Sequence, residues 1–381
     1  MPTSNWTGSG ADNLASTPDN WDTLPLAGYD VVINTGNKAV TWDLTTAINS
    51  LTIGASYTGT ITQACDMNIG AGGYSQAGGT FTGAGGTTYW INCSGSYIQT
   101  AGVVTSDKSR LHFTGDGATF TGTNTRQSYH WFDANITATG LQYTSGGLKV
   151  SAGKTVIINN GGRIGSSAGL SNVIDGAVVS IGTGYLLLIT YGGANYFPKM
   201  NCGSCNVTLN HNNNAAVNIE FLGDTIIKSV SMVGPASYNA VFDLAGHSLT
   251  CTSLTVGTRG ILLGGEGVIT IDGGAFDSSA GTLTEETSTF IFNRNSTVKL
   301  AAGQKFYNVI GKAGVRTLLS NVTISNLYAH VNPAILGAFA LTLTDPAKEY
   351  TGLKRPFIKK RIDIGPVGLT DSWMQDLGAL I

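Results

Sequence analysis

Short runs of alternating apolar and polar residues, each stopped by Gly, Asn or Asp, recur along the chain. Examples are "DVVIN" (Asp30 to Asn34), "LKVSAGKTVIINNGG" (Leu148 to Gly162), "GVITIDGG" (Gly267 to Gly274) and "NVTISNLYAH" (Asn321 to His330). A period of two, with β-branched residues on one face, predicts short strands with one side buried. The residues that stop them tolerate the positive φ angles of sharp corners. Helical periodicity is almost absent; the one helix predicted lies in "TDSWMQDLGAL" (Thr370 to Leu380), with Thr370 or Asp371 as its N-cap.

Repetition sharpens this picture. "YSQAGGTFTG" starts at Tyr74 and "YIQTAGVVTS" at Tyr97, each with Gln two places after Tyr. If one coil of a solenoid takes roughly 20 to 25 residues, equivalent positions lie about 4.8 Å apart, placing Tyr74 over Tyr97 and Gln76 over Gln99. Stacked amides are then expected to hydrogen-bond to each other along the axis, which satisfies two buried glutamines. "DLTTAINSLTIG" (Asp43 to Gly54) is echoed by "DLAGHSLTCTSLTVG" (Asp243 to Gly257), with Leu51, Ile53, Leu254 and Val256 inward. A looser echo joins Gly117 to Gly140 with Asn295 to Gly314, each ending in an aromatic-rich strand that begins near Phe132 or Phe306. The fold expected is all-β, a right-handed parallel β-helix. Residues 1–40 form its cap and first coil, 41–344 the solenoid, and 345–381 a small C-terminal anchoring element.

Composition agrees with strands and tight turns. Charged residues make up 12% and Gly fills 52 positions, which leaves no room for long amphipathic helices, while 42% hydrophobic content supplies a core. A net charge of −2 argues against binding nucleic acid by neutralising phosphates. "MPTSNWTGSG" lacks the basic and apolar parts of a Sec leader, and no run reaches the roughly 18 to 20 apolar residues of a spanning helix, so a soluble chain without membrane insertion is expected. Cys65, Cys93, Cys202, Cys205 and Cys251 are an odd, scattered set, expected to be reduced and mostly buried rather than a disulfide framework. "CGSC" at Cys202 to Cys205 has redox or half-zinc spacing but neither a second pair nor a βαβ context, and reads as a structural turn. The five histidines are far apart, so no metal or cofactor is expected.

The opening "NWTGSGADNLASTPDNWDTLPLAGYDVVIN", with Trp6, Gly8, Asn20, Trp21, Pro25, Gly28, Asp30 and the Val31 to Ile33 strand, resembles that of β-solenoid repeat proteins of bacterial surfaces, autotransporter-like passengers and phage virions. "FDLAGHSLTCTSLTVG" and "TSTFIFNRNSTVKLAAGQKFYNVIG" are similar to segments of the same class. The resemblance covers about three-quarters of the chain and reflects coil geometry shared by proteins with different jobs. It implies a solenoid on a virion or cell surface. Trp6 and Trp21 read as a cap over the first coil, which hides its apolar cross-section and guards the terminal strand edge; sugar stacking is the alternative for such tryptophans.

Solenoids also carry polysaccharide lyases and hydrolases. The densest acidic neighbourhood holds Asp272, Asp277, Glu285 and Glu286, of which Asp272 sits in a turn before Gly-Gly and the two glutamates are expected on opposite faces of a strand. They are weak catalytic candidates. "KEYTGLKRPFIKKR" (Lys348 to Arg361) breaks the composition, and Lys354, Arg355, Phe357, Lys359, Lys360, Arg361 and Trp373 read as an anchoring or oligomerisation surface, against the alternative of a solvated tail. The function expected is a non-enzymatic structural protein of a virion surface, a capsid decoration or fibre-type subunit, that mediates assembly, stabilisation or attachment. Its expected partners are other virion or surface proteins and further copies of itself, a trimer being one form such a rod can take. A glycan-binding or glycan-degrading tailspike-like protein with a host glycan as partner, and a bacterial surface adhesin, are the alternatives.

Overall fold

The computed structural model describes residues 1–351 apart from 106–108, 128, 145, 167–171, 191–195, 198–200, 212–216, 236, 333, 335–337 and 345–347. The fold is an all-β parallel β-solenoid of about 13 turns. Among the described residues there is no α-helix; Pro18–Asn20 forms a three-residue 3-10 turn. The helix predicted at Thr370 to Leu380 lies outside the described residues. Two compact units are present, Met1–Asp243 with Gly257–Ile261, and Leu244–Val256 with Leu262–Ile381.

In the first unit, Thr3–Asn5 pairs with Asp30–Gly36, which pairs with Ile48–Tyr57, then Met67–Gln76, then Tyr89–Cys93 and Tyr97–Gln99, all parallel. A second sheet runs Val40–Trp42, Thr60–Gln63, Thr80–Gly83, Val103–Val104. Alternation makes every second residue of a strand face inward, and the parallel register sets it over the inward residue of the next turn. One buried column therefore reads Val31, Leu51, Tyr74, Tyr97, Phe120, Ala138, Ile158. Tyr74 and Tyr97 are stacked with ring centroids 4.4 Å apart at 10°, and Phe113 on Phe132 at 5.5 Å and 6°. The offset between paired residues varies from turn to turn, as Ala118 opposite Ile136 and Tyr74 opposite Tyr97 show, and the difference is taken up in corners and bulges such as that between Gly122 and Thr125. Gly73 marks one tight corner: its φ is +77°, and a Cβ there would lie 2.3 Å from the Ser96 carbonyl oxygen.

The second unit repeats the plan. Leu249, Ile269, Phe290, Val309 and Tyr328 form one buried column, and Cys251, Ile271, Phe292, Gly311 and His330 the next. Phe290 sits at the centre of an aromatic cluster, 4.5 Å from Phe306 and 5.1 Å from Phe276. Leu51, Ile53, Leu254 and Val256 are buried, as the sequence echo requires.

The glutamines are satisfied differently from expectation. Gln76 does lie opposite Gln99. Its Nε2, however, donates to the carbonyls of Gly78 at 3.1 Å and Val103 at 3.3 Å, and its Oε1 accepts from the Tyr74 hydroxyl at 2.9 Å. Gln99 Nε2 donates to Gly102 O at 3.3 Å. The reason is reach: a corner leaves backbone carbonyls without ladder partners, and a buried glutamine two or three residues away is their nearest donor. Gln63 and Gln142 serve corners in the same way, donating to Cys65 O at 3.1 Å and Thr139 O at 3.0 Å, and half-buried Gln304 reaches Gly281 O in the neighbouring turn at 2.8 Å. Amide-to-amide bonds along the axis occur instead on outward asparagines, from Asn92 to Asn68 at 3.0 Å and from Asn326 to Asn308 at 2.8 Å.

Replacing Gln76 by Leu removes an acceptor of the Tyr74 hydroxyl and the donor to the corner carbonyls, and is expected to lower stability by about 1–3 kcal/mol in urea titrations. Phe290→Ala is expected to cost about 3–5 kcal/mol through the cavity it leaves.

Candidate functional site

One outward face of the first unit gathers aromatic and basic side chains from successive turns. It is built on Tyr89–Cys93, Ser109–Phe113, Tyr129–Phe132 and Leu148–Val150, whose parallel register aligns Trp90, Arg110 and Tyr129 in one row and Asn92, His112, Trp131 and Lys149 in the next. Their inward neighbours Ile91, Leu111, His130 and Leu148 are buried, which fixes the strands and turns this set outward. His112 stacks on Trp131 at 4.0 Å and 14°, and Lys149 Nζ lies 4.2 Å from the centre of the Trp131 ring. Trp90 meets His112, Trp131 and Tyr129 edge to face at 5.8, 5.9 and 6.1 Å, with the Arg110 guanidinium 5.3 Å from its ring centre. Trp131 Nε1 donates to Ser151 Oγ at 2.9 Å.

This cluster is half-buried and carries both signs of charge. His112 Nδ1 is 3.0 Å from Asn92 Oδ1 and its Nε2 is 3.8 Å from Asp133. Burial holds His112 below the usual imidazole range, and the nearby Asp133 carboxylate opposes that shift. Aromatic rings beside amide, carboxylate and guanidinium groups suit a polyhydroxylated ligand, since the rings pack on C–H faces and the polar groups bond hydroxyls. Sequence reading passed over these residues, because Trp90, His112 and Trp131 stand in segments not aligned with one another. Superposing the chain on itself in steps of about 20 residues brings them together.

The acidic candidates lie in the second unit, each with its own partner. Asp272 pairs with Arg294 at 3.2 Å; Asp277 accepts from the Ser279 amide at 2.8 Å and lies 4.0 Å from Lys299. Glu285 accepts from Ser325 Oγ and Lys305 Nζ, both at 3.0 Å, and Glu286 accepts from the Gly265 amide at 2.7 Å. The two glutamates are not on opposite faces of a strand. They occupy the corner between Thr282–Thr284 and Thr289–Phe292, where Glu286 has φ +42°. Glu285, Gln304, Lys305, Tyr307 and Ser325 line an open groove there.

Trp6 and Trp21 are both buried and pack edge to face at 5.0 Å, and Trp21 Nε1 donates to Ala15 O at 2.7 Å. Buried Asn20 ties the loop around them: its Nδ2 donates to Asp12 and to Leu14 O, both at 3.0 Å, and its Oδ1 accepts from the Gly10 amide at 3.0 Å and Lys38 at 3.2 Å. Asp22 covers the outer edge of Thr3–Asn5 by accepting from the Asn5 amide at 2.7 Å, while Ser4 Oγ donates to Thr23 O. Lys354, Arg355, Phe357, Lys359, Lys360, Arg361 and Trp373 lie outside the described residues; Lys348, just before them, bonds Asn326 Oδ1 at 2.7 Å. Cys65, Cys93, Cys205 and Cys251 are free thiols, and burial pushes Cys93 and Cys205 up to about 11 and Cys251 to about 12. Among the described residues there is no group of three or more metal-ligating side chains, and no helix is long and apolar enough to cross a membrane. No protein-family model, curated protein or solved structure matches this chain.

Three carboxylates of the N-terminal region are held below the usual range by hydrogen bonds. The Leu14 amide and Thr17 lower Asp12, the Asn5 side chain and amide lower Asp22, and Ser50 with Asn49 lowers Asp30. Depressed folded values stabilise this region above the unfolded carboxylate range near about 3.9, and the benefit is lost as pH falls through the lower folded values. Tryptophan fluorescence is therefore expected to report loosening at Trp6 and Trp21 on acidification in this window, and Asn20→Ala to move the transition to higher pH.

Proposed function

We propose that this chain is a non-enzymatic structural β-solenoid of a virion surface, a capsid decoration or fibre-type subunit assembling with other virion proteins and with copies of itself. The observation that carries this reading is the interior: columns such as Val31 to Ile158 and Leu249 to Tyr328 are filled by side chains stacked on their counterparts, the construction of a stiff spacer. The N-terminal edge, covered by Asp22 and Thr23, supports a unit that does not polymerise through that strand. Attachment is assigned to residues 345–381 on their sequence, which mixes six basic residues between Lys348 and Arg361 with Phe357 and Trp373. Electron microscopy of the native assembly is expected to place the C-terminal end against the surface. A chain ending at residue 344 is expected to keep its β-rich circular dichroism and lose incorporation; normal incorporation of that truncation refutes the anchoring role.

The outer cluster of Trp90, Tyr129 and Trp131 favours a second reading, a solenoid that binds a host glycan along its side. Titration with host-cell polysaccharide is then expected to show saturable binding that Trp90→Ala weakens at least tenfold with little change in melting temperature. Unchanged affinity in that variant removes the cluster from recognition, and release of reducing ends identifies a cleaving enzyme instead.

A further inference from the structure

The outward face of the second sheet in the first unit carries threonine in two adjoining rows. Parallel register sets Thr41 opposite Thr62 and Thr62 opposite Thr82 in one row, and Thr60 opposite Thr80 and Thr80 opposite Val103 in the other. Thr105, whose amide donates to Phe81 O at 3.0 Å, extends the first row. Between the rows Val40, Ile61, Phe81 and Val104 are buried, so alternation turns the threonines outward, and each is half-exposed or exposed. The pairing runs from Val40 to Val104 without a register shift, whereas Asp30–Gly36 against Ile48–Tyr57 has one between Ile33 and Thr35. Small residues flank the rows: Gly59, Gly79 and Gly102 precede three of the strands, and Ala64 and Ala84 follow two. The threonines are thereby the outermost groups of these strands.

Such a face is a two-dimensional lattice. Levels repeat at the strand spacing of about 4.8 Å, and successive outward residues of one strand lie about 6.6 Å apart, twice the rise per residue. Branching at Cβ restricts each threonine's χ1, so hydroxyl and methyl recur in set places. The hydroxyls hold water by hydrogen bonds and the methyl groups order the water over them, and the layer takes on both repeats. A small soluble ligand gains nothing from a repeat, whereas a crystal does, since each further level contributes again. None of these side chains is ionisable, which suits an uncharged partner rather than a mineral salt or an anionic polymer. Ice is an uncharged, hydrogen-bonding crystal whose oxygen repeat on its growth faces lies close to the strand spacing. We propose that the threonine face of Val40–Trp42, Thr60–Gln63, Thr80–Gly83 and Val103–Val104 binds ice through the water layer it orders. The face shares no residue with the Trp90 cluster or with residues 345–381, and stands whatever those bind.

Slow freezing of a dilute solution of the full chain tests this, read as the ratio of protein in the ice to protein in the remaining liquid. Wild type is expected to be enriched in the ice, from which an ordinary solute is excluded. Thr62→Lys, outward-facing at the centre of the lattice, is expected to abolish the enrichment while circular dichroism and melting temperature stay as in wild type; Thr82→Lys repeats the test should that variant not fold. Thr137→Lys puts the same charge on an outward threonine of the other sheet, opposite Thr119, and is expected to leave enrichment intact. Exclusion of wild type from the ice, equal enrichment in Thr62→Lys, or an equal loss in Thr137→Lys overturns the proposal. So does a dimer in sedimentation that Thr62→Lys dissociates, because the face then serves a second copy of the chain.

Discussion

The parallel backbone ladder fixes everything else in this molecule. Each turn repeats at the strand spacing of about 4.8 Å, so an inward side chain meets its own counterpart above and below before anything else. Stability then depends on whether neighbours in a column tolerate one another at that distance. Flat rings do so by stacking, as Tyr74 on Tyr97 and Phe113 on Phe132, or by tilting, as Phe290 against Phe306. Aliphatic residues fill the remaining levels.

Polar groups enter this interior only with a defined task. Glutamine reaches corner carbonyls from within, as Gln63, Gln76 and Gln142 do at Cys65, Gly78 and Thr139. Asparagine, one methylene shorter, serves outward rows, where Asn68 and Asn92 or Asn308 and Asn326 bond one another along the axis. Arg316 is the exception, a full charge admitted where Gly311 leaves a level empty.

The architecture was legible in the sequence because strand alternation and the Tyr-x-Gln echo are both local signals with a fixed period. They gave the facing of Leu51 and Leu254 and the pairing of Tyr74 with Tyr97. The hydrogen-bond partners of Gln76 were not legible, since a corner's free carbonyls depend on where the chain bends rather than on residue type. Nor was the outer aromatic cluster, whose members Trp90, His112 and Trp131 become neighbours only once three turns are in register. The inward turn of Arg316 escaped for the opposite reason: a basic residue in a strand is read as solvent-facing until the gap at Gly311 is known.

Unequal coil lengths, from Ala118 opposite Ile136 to Tyr74 opposite Tyr97, have an evolutionary consequence. Because the extra residues sit in corners while the paired strands keep step, an insertion or deletion there changes one turn's outline and leaves the turns beside it undisturbed. Such a scaffold can acquire or shed surface loops one at a time, and its lineage can drift in length while its cross-section stays the same.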